Sequence, residues 1–219
     1  MFSDRTEAGR RLAENMADES LEDGLILGIP RGGVIVAAKV AEKLGLPLDI
    51  IIPRKIGVPF NTEVAIGAVT QDGTVILDDR LMTLTGLDEA DLRPQIEQEI
   101  AEIARRTRLY RGDRPEPEYR DRTVVLVDDG IATGSTTLAA LRSIRKGNPR
   151  TVILAVPVAP PETLDRLAPE VDRIICLEAP DPFYAVGQFY DHFDQTSDEE
   201  VIDILNRNKA WAVCGCIER

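Results

Sequence analysis

Disulfides do not organise this chain. Its three cysteines, Cys176, Cys214 and Cys216, are odd in number and two lie one residue apart, which fits a reducing compartment better than a secreted framework. The Cys-x-Cys pair could bind metal or react with oxidants, but with His192 as the single histidine a zinc site finds few partners. Long apolar runs are missing too. Nothing approaches the ~20 residues that cross a bilayer, and no secretory hydrophobic segment follows Met1-Phe2-Ser3-Asp4-Arg5, so a cytoplasmic location without a membrane partner is expected. Positive charge is scarce: 26 Lys and Arg stand against 38 Asp and Glu, a net charge of −12. This argues against a duplex nucleic-acid partner, while a small anionic substrate remains open if the basic residues gather at its site. The 219 residues suffice for one large α/β domain burying roughly 70% of its unfolded surface.

What is present is organised around Val124-Val125-Leu126-Val127-Asp128-Asp129-Gly130-Ile131-Ala132-Thr133-Gly134-Ser135-Thr136-Thr137. Four apolar, mostly β-branched residues suit a strand buried on both faces, and the Gly and hydroxyl residues suit a turn opening a helix near Ser135. Helix-start N–H groups lack intrahelical partners and carry the positive end of the helix dipole, so an anion belongs there. The carboxylates of Asp128 and Asp129 would repel that anion. They suit vicinal hydroxyls or a divalent cation instead. A ribose 5-phosphate satisfies both halves of the motif. A phosphoacceptor receiver domain also places acidic pairs at strand ends, but gives such a loop no purpose.

An apolar strand, two acids and a short Thr/Gly/Ser-rich loop resemble the signature of the type I phosphoribosyltransferases. The resemblance implies that Asp128 and Asp129 hold the ribose hydroxyls of phosphoribosyl pyrophosphate, and that Ala132, Thr133, Gly134, Ser135 and Thr136 wrap its 5-phosphate. It also implies Mg²⁺, carried mainly by the donor and reached by Asp128 or Asp129. The purine-salvage branch has an acid beside the loop Thr, where this chain has Ala132, which argues against hypoxanthine or guanine as acceptor.

Earlier in the chain, residues 4–16 read as an amphipathic helix, and Leu25–Ile29 as a core strand running into Pro30-Arg31-Gly32-Gly33 and a helix from Val34. Two glycines after an arginine favour an anion site, and the resembled family's first loop contacts the donor pyrophosphate, so Arg31, Gly32 and Gly33 take that role. A strand from Leu48 to Pro53 is predicted to end in Arg54-Lys55, two cations on the ligand side of an open sheet that would oppose the pyrophosphate. Residues 56–63 read as a mobile loop, followed by a hairpin of Val64–Thr70 and Thr74–Asp78 across Gln71-Asp72-Gly73. A long surface helix follows from Asp88 to Tyr110, its start open to displacement by Pro94. Two more strands, Thr151–Val158 and Val171–Leu177, flank a short helix near Pro161.

Five of the nine Phe and Tyr residues fall between Pro180 and Phe193, which suits either a stacking platform for a planar acceptor or a segment packed on the core. Phe183 and Tyr184 are the acceptor candidates, and His192 reads as structural. Ser197-Asp198-Glu199-Glu200 looks like a capping box opening a last helix through Ile204.

The expected fold is α/β: a Rossmann-like parallel sheet flanked by helices, with an antiparallel edge hairpin and a small hood. A single domain over residues 1–219 is expected, its core at about 21–178 and its hood from 1–20 and 179–219. The expected activity is phosphoribosyl transfer to a base-like acceptor, with Arg31, Lys55, Asp128 and Asp129 as the catalytic set. The alternative is a regulator that keeps the donor site as a sensor. Family members are commonly dimers, which admits a homodimer.

Overall fold

The computed structural model describes residues 1–17, 19, 21–59 and 61–214, with side chains at all of these except 61–63 and 209–214. In chain order the elements are α1 (Arg5–Asn15), β1 (Leu25–Gly28), α2 (Gly32–Leu44), β2 (Leu48–Ile50), β3 (Arg54–Val58), β4 (Asn61–Val69), β5 (Val75–Leu77), α3 (Asp79–Thr85), α4 (Glu89–Arg111), β6 (Thr123–Val127), α5 (Ser135–Lys146), β7 (Thr151–Val158), α6 (Pro161–Leu167), β8 (Arg173–Glu178) and α7 (Asp198–Cys214). Cys216 lies outside the described residues, and Cys214 ends α7.

β1, β2, β6, β7 and β8 form a parallel sheet in the order β2-β1-β6-β7-β8. Alternate residues serve opposite faces, as the pleat requires. Leu25, Leu27, Val124, Leu126, Val152 and Leu154 pack with Ala140, Leu141 and Ile144 of α5. Ile26, Val125, Val127, Ile153 and Ala155 pack with α1 and α2 on the other side. Both faces are covered, which explains why β6 is buried throughout and apolar from Val124 to Val127. From β1 the chain goes outward to β2 and later returns to β6 on the opposite side. The strand order therefore reverses between β1 and β6, and a crevice opens beyond their carboxyl ends.

The predicted edge hairpin is part of a second sheet, antiparallel, in the order β3-β4-β5. This corrects two readings of the sequence. Residues 56–58 and 61–63 are strand rather than loop: Arg54–Val58 pairs with β4 through a register shift at Gly57. Arg54 and Lys55 do not end the β2 strand, since β2 stops at Ile50 and the two cations open β3. Pro53 lacks the N–H that a parallel ladder would need there. A further short helix, α3, which periodicity did not reveal, is capped by Asp78. Pro94 does not displace the start of α4: Asp88 and Asp91 form a reciprocal capping box, and the proline sits inside the helix. The Ser197–Glu200 box forms as read, but α7 runs on to Cys214.

Asp72 ties the hairpin turn to the helix behind the central motif. Its carboxylate accepts from the Thr70 and Thr74 hydroxyls, from Ser143 Oγ at 3.0 Å, and pairs with Lys146 Nζ at 3.1 Å. Partial burial would raise its pKa, but these donors outweigh burial and hold it below the ordinary 3.8. Stabilisation from a depressed carboxylate is present above the ordinary value and lost as the pH falls below it. Asp72→Ala is expected to lower stability by about 1–2 kcal/mol at pH 7, solvent screening keeping the figure small. Thermal melts of the two proteins should converge progressively as the pH is taken below about 4.

Candidate phosphoribosyl site

Two strand-to-helix loops meet at the switch point. Gly28 of β1 lies in register with Val127 of β6, so the residues that follow each strand emerge side by side. Gly33 is buried with no room for a side chain: a Cβ there would stand 2.9 Å from Asp128 Cα and 3.1 Å from Val127 O. A Cβ on Gly32 would fall 2.0 Å from Asp129 Oδ2. These glycines let the start of α2 press directly on the acidic pair. Arg31, at the N-cap position of α2, is half-buried and points its guanidinium to Asp198, with Nη1 to Oδ1 at 3.6 Å. Asp198 is held below its usual carboxylate range chiefly by the Tyr110 hydroxyl that donates to it, and further by Arg31.

Asp128 and Asp129 sit at the carboxyl end of β6, half-buried. The backbone N–H of Asp129 donates to Asp128 Oδ1 at 2.9 Å. Burial first, and the neighbouring Asp129 charge second, push the Asp128 carboxyl well above the ordinary range. Asp129 Oδ2 instead accepts from Arg5 Nε at 2.6 Å, and its side chain is 15% exposed. The Tyr190 hydroxyl donates to the Asp129 backbone carbonyl. Burial raises the pKa of that phenol, so it remains a donor.

Beyond the pair, Ala132 and Thr133 are exposed and Gly134 adopts φ +70, a left-handed conformation that suits glycine. Gly134 turns the chain into α5, whose first turn carries no acidic residue. Among the described residues, no protein acceptor is hydrogen-bonded to the backbone N–H of Ser135, Thr136 or Thr137. Thr163 Oγ1 of α6 donates to Ala132 O at 2.7 Å and fixes the outer edge of the loop.

A cleft of about 550 Å³ opens beside this loop, lined by Ala132, Thr133, Pro160, Pro161, Glu162, Asp165 and residues 181–184. Phe183 packs against Phe189 at 5.1 Å between ring centroids, whereas Tyr184 is 82% exposed. The first residues of the chain and the tail come together above the sheet: Phe2 bridges to Tyr190, and Phe2, Ala8, Val158 and Tyr190 share a small core.

The structure thus sets the loops after β1 and β6 side by side, with Gly32 and Gly33 against Asp129 and Asp128, while Ala132 and Thr133 share a cleft with Phe183 and Tyr184. Arg54 does not join them as a free cation; its Nε pairs with Glu99 Oε2 at 2.6 Å. Lys55 beside it is exposed on β3. Arg5, Tyr190, Asp198, Glu162, Asp165 and Asp181 were not foreseen. For Arg5, the sequence holds no signal, because 124 residues separate it from its partner. For Glu162 and Asp165, the signal was their place on a helix that follows a strand of the same sheet.

Among the described residues, no helix is long and apolar enough to cross a membrane. Residues 4–194 match the family described as "Phosphoribosyl transferase domain". The chain is 42% identical over all of its 219 residues to the Mycobacterium tuberculosis proteins named "Putative phosphoribosyl transferase Rv0571c" and "Putative phosphoribosyl transferase MT0597". It covers 49% of each, and so spans about half the length of the curated relatives it matches. The crystal structure of TT1426 from Thermus thermophilus superposes with a TM-score of 0.80 at 41% identity, over 94% of this chain and 98% of that one. The acidic pair and anion-ready helix start at the sheet's switch point, together with these matches, establish that the chain belongs to the type I phosphoribosyltransferase family.

Proposed function

We propose that this chain transfers the 5-phosphoribosyl group of phosphoribosyl pyrophosphate to a nitrogenous acceptor. The observation that carries this reading is the meeting, at one crevice, of two carboxylates with helix-start amides that have no protein acceptor. The amides of Ser135, Thr136 and Thr137 bind the 5-phosphate through dipole and hydrogen bonds, while Asp128 and Asp129 take the ribose hydroxyls. In the reaction the bond between C1′ and the pyrophosphate oxygen breaks, its electron pair leaving with pyrophosphate. An acceptor nitrogen bonds to C1′ and gives up a proton. The transition state resembles an oxocarbenium ion, so placement and stabilisation of charge do most of the work.

Arg31, at the start of α2, is assigned to the pyrophosphate end, with Asp198 orienting it. Lys55 is a second candidate from β3, and Arg54 serves only if it leaves Glu99. Mg²⁺ fits as a cation carried by the donor, with Asp128 or Asp129 as hard oxygen ligands; among the described residues there is no group of three or more His, Cys, Asp or Glu arranged to hold a metal. When bound, it would offset charge on the departing pyrophosphate.

The acceptor is assigned to the cleft beside Ala132, where Phe183 and Tyr184 supply aromatic surface. Ala132 offers no acid to a base proton, but Glu162, Asp165 and Asp181 bring carboxylates to the same space. Their charge favours an acceptor rich in N–H donors over one that carries a carboxylate.

Incubation with phosphoribosyl pyrophosphate, Mg²⁺ and a panel of bases, monitored for pyrophosphate release, tests this function. Release with at least one base is expected, with amino-bearing bases exceeding carboxylate-bearing ones by about tenfold in kcat/KM, the factor that 1.4 kcal/mol supplies. Saturable donor binding without release for any acceptor would leave the donor-sensing alternative in its place.

A further inference from the structure

We propose that Arg5 is a positioning residue for the donor site: it holds Asp129 in place for the ribose and makes that grip depend on the tail. This rests on the donor site proposed above. The guanidinium is anchored three ways. Nε donates to Asp129 Oδ2 at 2.6 Å, Nη1 donates to the Asp194 carbonyl at 2.7 Å, and the group lies 3.9 Å from the centroid of the Phe193 ring. The arginine side chain is 11% exposed, so the pair is shielded from water and salt far more than a surface ion pair.

The geometry assigns the two oxygens of Asp129 separate tasks. Oδ2 accepts from Arg5, and the other group within hydrogen-bonding reach of this side chain is the neighbouring Asp128 carboxyl, which faces the same ligand. A single bond about which the carboxylate could swing is thereby held from one end, leaving one acceptor for a sugar hydroxyl. Tyr190 holds the backbone carbonyl of the same residue, so both the main chain and the side chain of Asp129 are fixed from the tail side. Gly32 completes the arrangement, because a Cβ there would come within 2.6 Å of Arg5 Nε. Three segments far apart in the chain, the start of α1, the start of α2 and residues 190–194, converge on one carboxylate. Preorganised acceptors bind more tightly because their ordering cost is met before the ligand arrives.

Arg5 acts through Asp129. Its effect falls on how well the donor is held, and much less on turnover once the site is full. Arg5→Ala is expected to raise the donor Kd and KM about tenfold, with kcat at saturating donor changed less than threefold. Arg5→Lys should recover part of the loss, since an ammonium can reach one oxygen but cannot also span Asp194 and stack on Phe193. Phe193→Leu, which leaves Asp129 and Arg5 intact, should raise the donor KM two- to threefold in a protein that melts close to wild type, and it keeps the test open if Arg5→Ala folds poorly.

Donor binding measured by calorimetry, beside steady-state kinetics, decides between the outcomes. Unchanged donor affinity in folded Arg5→Ala and Phe193→Leu would overturn the inference while leaving the transferase reading intact. Tighter donor binding on removal of Arg5 would also overturn it, because the arginine would then be a plug over the site. Wild-type protein that does not bind phosphoribosyl pyrophosphate at all would overturn the donor site itself, and this inference with it.

Discussion

Replacing Asp128 and Asp129 together by Asn is expected to weaken phosphoribosyl pyrophosphate binding by about 100-fold or more, from two charge-assisted hydrogen bonds worth roughly 1.5–3 kcal/mol each. Asn keeps the volume and an acceptor oxygen at each position, so the loss isolates charge from shape. The fold should survive. Asp128 is already costly to ionise, since burial and its neighbour hold its pKa above the ordinary value. With the folded-state pKa raised, the stability linked to this carboxyl is complete below the ordinary value and is lost as the pH rises through the folded one; Asn at 128 removes that loss. Against this gain, Arg5 loses its ionised partner in a site where the arginine is 11% exposed. The two effects oppose each other, and a melting temperature within a few degrees of wild type is expected. Calorimetric titration of the donor into the folded double variant is the measurement, and wild-type affinity there would remove the ribose assignment.

Gly33→Ala should have the second largest effect, because the added methyl meets backbone on two sides. The new Cβ would lie 2.9 Å from Asp128 Cα and 2.7 Å from Asp128 Oδ1. Neither the main chain of β6 nor the start of α2 can give way without disturbing the ladder that places Ile29 N on Val127 O at 3.0 Å. Overpacking of this kind costs about 1–3 kcal/mol, and in a chain of this length each kcal/mol shifts the melting temperature by about 2–4 °C. The functional loss should exceed the loss of stability. Separating the two loops by even a few tenths of an ångström withdraws Arg31 and the α2 start from the acidic pair, so donor affinity is expected to fall at least about tenfold in protein that remains folded at 25 °C. Gly32→Ala offers a contrast, since its Cβ would meet side-chain atoms of Asp129 and Arg5, which can move. It should disturb donor binding with a smaller drop in melting temperature. Equal donor affinity in all three proteins would show that close contact of the loops is packing alone.

Much of the site was legible because its signals are local. A β-branched run that must be buried on both faces, an acidic pair, and a glycine that turns the chain into a helix lie within fourteen consecutive residues. Each feature dictates its own backbone state, and the helix start exposes its amides whatever the rest of the chain does. The Arg31-Gly32-Gly33 loop was legible for the same reason. The β3 strand was not, because Gly57 and Pro59 interrupt its pattern and its partner, β4, lies across an irregular register. The surroundings of Arg54 were not legible for a related reason: a strand that ends at Ile50 sends it to a different sheet, where it pairs with Glu99 of α4.

By itself, then, the sequence determined the parallel α/β class, the place of the glycine turn that opens α5 and the identity of the acids beside it, since these follow from backbone preferences and periodicity over a few residues. Only the tertiary structure decided which charges face one another. Arg5 reaches Asp129, Arg31 turns to Asp198, and Glu162 and Asp165 line the cleft, because strand order and helix packing bring distant segments within a few ångströms. Coulombic attraction and hydrogen bonding act over that distance and not along the chain, so no local pattern records them.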